Sequence, residues 1–272
     1  MLASLLDRTD GDAMPLTPDL VRRYGGVLRT PSRRPYVFAN FVSTVDGIVS
    51  FGVPGHDRAR DVSLGDPNDR FMLALLRAVS DAVIVGAGTL RKEPDSVWTA
   101  ESVFPDAARE FAAVRSAAGL AAQPLTVLVT ASGELDLSLP AFTRGGPVLV
   151  ATTAAGARRL GRTPDRVRVR SLADDAELRM ADVVRVTAEA AGGGRLLTEG
   201  GPNILGRFLD EGLLDELFLT IAPRLAGRTR EHSRVPLVEG VAFDATRAPG
   251  AALVSVRSGG DYLFTRYAFR RV

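Results

Sequence analysis

Short, nearly continuous apolar runs alternate along this chain with apolar stripes of helical spacing. Ala82 to Val85, Leu125 to Val129 and Pro147 to Ala151 have the pattern of strands buried on both faces. Behind Asp66-Pro67-Asn68, the residues Phe71, Met72, Leu75, Leu76 and Val79 recur at helical spacing and predict a helix. Pro105 to Ala118 and Ala154 to Leu160 predict two more. The clearest unit is Arg195 to Ile221. Leu196 and Leu197 form a short buried strand, Gly200-Gly201 turns the chain, and Pro202 suits the first helical turn. Ile204, Leu205, Phe208 and Leu209 then make one helix face, Gly212 stops it, and Leu217 to Ile221 is the next strand.

The same reading covers the rest of the chain. Tyr36 to Val42 and Val167 to Arg170 are strands, and Asp175 to Ala190 contains a helix. Thr17-Pro18-Asp19 caps a short helix through Tyr24. Ser50 to Gly65 is a long glycine- and charge-rich loop, a length that suits a lid or binding role. Arg91 to Val103 is a second loop, and it holds the only tryptophan, Trp98, as a core or a pocket-wall residue. Ala252 to Val256 and Tyr262 to Phe269 form an antiparallel hairpin around Ser258-Gly259-Gly260. Strands alternate with helices from Tyr36 to Ile221. The fold class is therefore α/β: a mostly parallel mixed sheet, helices on both faces, and a C-terminal antiparallel hairpin. One domain is expected, with residues 1–35 as a peripheral segment and 36–272 as the core.

Composition narrows the function classes. With 272 residues, 46% of them hydrophobic, the chain can bury a full core without metal or disulfide support. It has no cysteine, which removes disulfides, Cys-zinc sites and thiol nucleophiles and suits a cytoplasmic protein. The net charge is +2, Lys92 is the only lysine, and the arginines are scattered. No basic stripe for nucleic acid and no membrane span is expected. His56 and His232 lie far apart in sequence, so no metal site is expected.

The chemistry concentrates at strand ends. Gly200-Gly201 at a strand-to-helix turn has free N–H groups and the positive end of a helix, which suits an anion. Glu199 stands beside it, where ligands of open α/β sheets gather. Gly86-Ala87-Gly88-Thr89 is a second glycine-rich strand end, but it lacks the third glycine of the ordinary dinucleotide fingerprint. Ser43-Thr44-Val45-Asp46-Gly47 closes another strand, with a plain hairpin turn at Asp46-Gly47 as the alternative.

N-F-V-S-T-V-D-G at Asn40 to Gly47, V-G-A-G-T at Val85 to Thr89 and L-T-E-G-G-P at Leu197 to Pro202 occur in this order. Together, over Tyr36 to Phe269, they resemble the pyrimidine reductase family of riboflavin biosynthesis, with its dihydrofolate-reductase-like fold. The resemblance implies an NADPH-dependent oxidoreductase and likewise a homodimer. It implies hydride transfer to the ribosyl C1′ of 5-amino-6-(5-phosphoribosylamino)uracil. Gly200 and Gly201 would then bind the pyrophosphate, and Gly86, Gly88, Thr89 and Pro202 would lie along the cofactor. Thr130 and Ser132 follow a mid-chain strand, where the family places the 2′-phosphate, with Arg144, Arg158 and Arg159 as helpers, and Thr152 would also touch the cofactor. Asn40, Ser43, Thr44, Ser63 and Glu93 would face the substrate, with Asp46 and Glu199 as the catalytic carboxylates. Two departures fall on the substrate side: Asn40 stands where many members carry lysine, and Lys92-Glu93-Pro94 replaces an acidic D-D-P run. The alternatives are a reductase of another pterin or pyrimidine, one using a deazaflavin, and a nucleotide-binding protein without catalysis.

Overall fold

The computed structural model describes residues 1–174 and 177–270. Asp175, where the sequence reading starts a helix, lies outside the described residues, as do Arg271 and Val272. The chain begins with β1 (Ala3–Asp7), β2 (Asp12–Ala13), α1 (Pro18–Tyr24) and β3 (Arg29–Thr30). Next come β4 (Tyr36–Thr44), β5 (Ile48–Ser50), α2 (Ala59–Ser63) and α3 (Pro67–Ala78). β6 (Ala82–Gly86) runs into α4 (Ala87–Lys92), followed by α5 (Ala100–Val103), α6 (Ala108–Ala117) and β7 (Leu125–Val129). Then follow α7 (Pro140–Thr143), β8 (Val148–Thr153), α8 (Ala154–Leu160), β9 (Val167–Ala173) and α9 (Met180–Ala191). β10 (Arg195–Thr198), α10 (Pro202–Asp210) and β11 (Glu216–Ala222) lead to β12 (Val235–Pro236), β13 (Ala251–Gly259) and β14 (Tyr262–Phe269).

These elements gather into two units. One holds Met1–Ser32, Phe38–Leu73 and Pro202–Val272; the other holds Arg33–Val37 and Ala74–Gly201. In the second unit the strands run in the order β10-β6-β7-β8-β9, all parallel. Every residue of β6, β7 and β8 is buried, which is why these strands read as apolar runs. β9 ends the row and exposes polar residues, as an edge strand does. Trp98 is core, at 1% exposure.

In the first unit the order is β1-β13-β14-β11-β4. β4 and β11 pair in parallel and the others antiparallel. α10 buries Ile204, Leu205, Gly206 and Phe208. Gly206 is small for a reason, since a Cβ there would lie 2.4 Å from the Glu239 carbonyl oxygen. The α/β class, the mostly parallel mixed sheet and the C-terminal hairpin match the hydrophobic pattern.

The structure departs from the sequence reading in several places. Residues 1–35 are not peripheral: β1 pairs with β13, and Leu2, Leu20, Tyr24 and Leu28 are buried. Arg257 pins this segment, 3.9 Å above the Tyr24 ring and 2.7 Å from Asp7. β1 has no apolar face, so periodicity does not reveal it. The Ser50–Gly65 loop contains α2, whose five residues are too few to show a period. The Pro105 helix opens as a 3-10 turn over Pro105–Ala107 before α6.

Candidate active site

The second unit gathers most of the expected cofactor residues. Its neighbouring strands β10, β6, β7 and β8 are parallel and in register, so their carboxyl ends share one side of the sheet. Gly201 has φ +80°, a left-handed conformation that favours glycine. A Cβ on it would lie 3.2 Å from the Thr89 hydroxyl, so the turns after β10 and β6 stand side by side. Gly200 is buried and donates its N–H to the Thr198 hydroxyl. Gly88 is exposed, and a Cβ there would meet only the far end of Arg91. Gly86 caps α4 with φ −85°, which any residue can adopt. Pro202 is the first residue of α10.

The turns after β7 and β8 are locked to each other. Thr153 caps α8 by accepting the Gly156 N–H and donates to the Ala131 carbonyl at 2.8 Å. A Cβ on Gly156 would lie 2.0 Å from the Thr152 hydroxyl, and one on Gly133 would lie 2.1 Å from the Gly156 carbonyl. Thr130 is buried, and its hydroxyl accepts the Gly133 N–H. Thr152 is fully buried. Ser132 is exposed, its hydroxyl accepting only the nearby Glu134 N–H. Glu134 also pairs with Arg159 across 2.5 Å. Of the two expected 2′-phosphate residues, Ser132 alone offers an exposed hydroxyl.

Glu199 is held, not free. Arg77 grips its carboxylate with two bonds: Nε to Oε1 at 2.8 Å and Nη2 to Oε2 at 2.6 Å. Side-chain exposures are 4% for Arg77 and 10% for Glu199, so the pair is largely desolvated. Arg77 also donates to the Val97 and Thr99 carbonyls. Arg115 donates in turn to the carbonyls of Arg77, Ala78 and Ser80, capping the C-terminal end of α3 with a buried cation. Burial pushes the Arg115 guanidinium down to about 10. Glu93 is half-buried and accepts a bond from the Ser96 hydroxyl.

The remaining expected residues lie in the first unit. Asn40 is half-buried on β4 beside Phe218. Ser43 and Thr44 are buried at the strand's end. Asp46 follows in an exposed turn, not a β-hairpin, because β5 pairs with β12. The Thr44 hydroxyl and the N–H groups of Ala226 and Gly227 hold the Asp46 carboxyl at about 2. Asp46 is thus an acceptor at neutral pH rather than a proton donor. Ser63 is buried and bonds to Asp69.

Asp69 itself was missed by sequence reasoning. Burial pushes its carboxyl up to about 6, against bonds from Thr220 and Ser63 that oppose the rise. In sequence it looks like any acid in the first turn of a helix. Arg77 and Arg115 were missed for a related reason. An arginine within or after an apolar stripe normally turns to solvent, and the partner of Arg77 is 122 residues away. Among the described residues, no three His, Asp or Glu side chains gather as a metal site, and no helix is long and apolar enough to cross a membrane.

Comparison with known proteins adds a family and a fold. The model of the RibD C-terminal domain matches residues 35–260. The 2,5-diamino-6-ribosylamino-4(3H)-pyrimidinone 5′-phosphate reductase of Archaeoglobus fulgidus is 26% identical over 201 residues, covering 71% of this chain and 83% of that protein. A pyrimidine reductase-like protein of Corynebacterium diphtheriae superposes with a TM-score of 0.68 at 21% identity, over 94% of this chain and all of that one. The deaminase/reductase of Thermotoga maritima gives a TM-score of 0.63 at 20% identity over 87% of this chain. This chain spans 57% of that protein's length.

Proposed function

Because the chain belongs to the RibD C-terminal domain family, we propose that it is an NADPH-dependent reductase of a ribosylaminopyrimidine phosphate, acting at the ribosyl C1′ in riboflavin biosynthesis. The observation that carries this reading is the meeting of two glycine turns, Gly201 against Thr89, at the carboxyl ends of adjacent parallel strands. The family implies a nicotinamide cofactor, and the second unit fits one. Gly88 leaves backbone uncovered where a side chain would stand, as close approach to a pyrophosphate requires, and Gly201 lets the turn after β10 lie against Thr89. The exposed Ser132 hydroxyl, with Arg158 and Arg159 on α8, suits a 2′-phosphate and so NADPH over NADH. A reduced nicotinamide supplies the hydride. The protein's part is to hold cofactor and sugar at reacting distance.

Glu199 then acts as a positioned acceptor. Its bidentate partner fixes the carboxylate and leaves its remaining lone pairs for sugar hydroxyls. Asp46, ionised and anchored by three bonds, has the same character. The substrate-side assignment of Asn40, Ser43, Thr44, Ser63 and Glu93 is part of this proposal.

The test is NADPH oxidation assayed side by side with the uracil and the 2,5-diaminopyrimidinone ribosylamino phosphates and with dihydrofolate. Turnover on a ribosylamino substrate, with NADPH bound more tightly than NADH by calorimetry, is expected. Turnover on dihydrofolate alone would refute the substrate. We further propose a cytoplasmic homodimer. The outer strand of the C-terminal hairpin is already covered by β1, so the dimer face lies elsewhere than that edge. A monomer by light scattering at micromolar concentration would remove this part.

A further inference from the structure

The Arg77 guanidinium does more than neutralise Glu199. The edge formed by Nε and Nη2 holds the two carboxylate oxygens. Nη1 donates instead to the carbonyls of Val97 and Thr99, at 3.3 and 3.2 Å. These carbonyls flank Trp98 in the stretch between α4 and α5. The same stretch carries Glu93, whose carboxylate accepts the Ser96 hydroxyl. Residues 77, 93 to 99 and 199 all belong to the second unit.

The root of the side chain is fixed as well. Arg115 donates to the Arg77 carbonyl at 3.2 Å, and both arginines are buried. A side chain held at its backbone and at its planar head is a rigid spacer. Its length sets how far Glu199, at the end of β10, stands from segment 97–99. Lysine would carry the same charge without this geometry. Its donors sit on one nitrogen and cannot span a carboxylate and two separate carbonyls.

Two other contacts hold the same segment. The Ser102 hydroxyl donates to the Val97 and Thr99 carbonyls, at 2.5 and 2.8 Å. Val97 also lies close to Gly145, where a Cβ would come within 2.7 Å of its Cγ1. Were these contacts sufficient, Arg77 would be only the counter-ion of a buried carboxylate. A counter-ion needs the charge alone, whereas the observed bonds use the whole plane of the guanidinium.

We propose that Arg77 is a positioning residue that joins Glu199 and segment 97–99 into one rigid wall, so that the carboxylate and the stretch bearing Glu93 keep a fixed spacing. That this wall meets the substrate rests on the function proposed above. The joining itself does not.

Trp98 is the only tryptophan of the chain and is 1% exposed, so acrylamide quenching of its fluorescence reports the segment without any turnover. Arg77→Lys should keep most of the stability that Arg77→Met loses, because the Glu199 charge stays paired. It should not restore the spacing. Quenching of Trp98 should rise about fivefold over the parent in both variants, as the loss of one hydrogen bond allows. Glu199→Gln, which keeps its shape, should raise quenching by less, and combined with Arg77→Lys the two effects should not add. With whichever ribosylamino phosphate the parent reduces, Arg77→Lys should raise KM and lower kcat/KM by about tenfold or more, at the parent's NADPH affinity. Parental quenching in Arg77→Lys or in Glu199→Gln, or a kcat/KM that lysine restores together with stability, overturns the proposal and leaves Arg77 a counter-ion. Raised quenching in a protein that reduces no ribosylamino phosphate leaves the joining standing and removes the reductase reading.

Discussion

Asp69→Asn is the most informative single perturbation of stability. The Asp69 carboxyl sits in the first turn of α3, enclosed by Thr220 of β11 and Ser63 of α2, with the negative charge of Asp66 nearby. Burial raises it from the usual 3.8 to about 6. The folded protein therefore holds this proton more tightly than the unfolded chain does. Below pH 3.8 both states are protonated and Asp69 costs nothing. Between pH 3.8 and 6 the unfolded chain ionises first, and stability falls. Above pH 6 the full cost is in place. Two powers of ten in proton affinity, at 1.36 kcal/mol each, make that cost about 3 kcal/mol as an upper bound.

Asparagine keeps the shape and can bond both hydroxyls without carrying charge. At pH 7.5 Asp69→Asn should therefore be more stable than the parent by up to about 3 kcal/mol, a rise of roughly 6–12 °C in the melting midpoint for a chain of this size. At pH 4 the two should nearly coincide. Urea denaturation at half-unit steps from pH 4 to 7.5 gives the difference directly. A constant difference across that range, or an Asp69→Asn protein that is less stable at pH 7.5, would show that Asp69 is ionised and well solvated in the fold, and would refute the reasoning.

Other perturbations separate structure from function. Arg77→Met leaves the Glu199 carboxylate buried without its cation and should cost about 3–5 kcal/mol in chemical denaturation, part of which Glu199→Gln should restore in the double variant. Glu199→Gln alone should lower kcat/KM by roughly ten- to a hundredfold, with NADPH affinity near the parent's; an unchanged kcat/KM would make Glu199 purely structural. Gly201→Val, at φ +80° and against Thr89, should both strain the turn and weaken NADPH, read by a thermal melt beside a cofactor titration. Arg115→Met strips three carbonyls at the end of α3 of their donor and should lower the melting midpoint, with loss of backbone protection at Arg77 to Ser80 in hydrogen exchange.

The sequence by itself determined the elements that bury a face. Apolar runs became β6, β7 and β8, the stripe from Phe71 to Val79 became α3, and the strand–glycine–helix unit became β10 and α10. These patterns are legible because burial acts on each side chain locally and repeats with the period of the backbone. The glycine strand ends were legible too, since Gly201 needs its positive φ wherever the rest of the chain goes. Only the tertiary structure decided the charged interior. Arg77 reaches Glu199, Arg115 caps α3, Arg257 pins β1, and the Asp69 carboxyl is bonded by Thr220 and Ser63. In each case the energy of a charge depends on what surrounds it rather than on its own position in a repeat. The same holds for β1, a strand without an apolar face that exists because β13 offers it an edge.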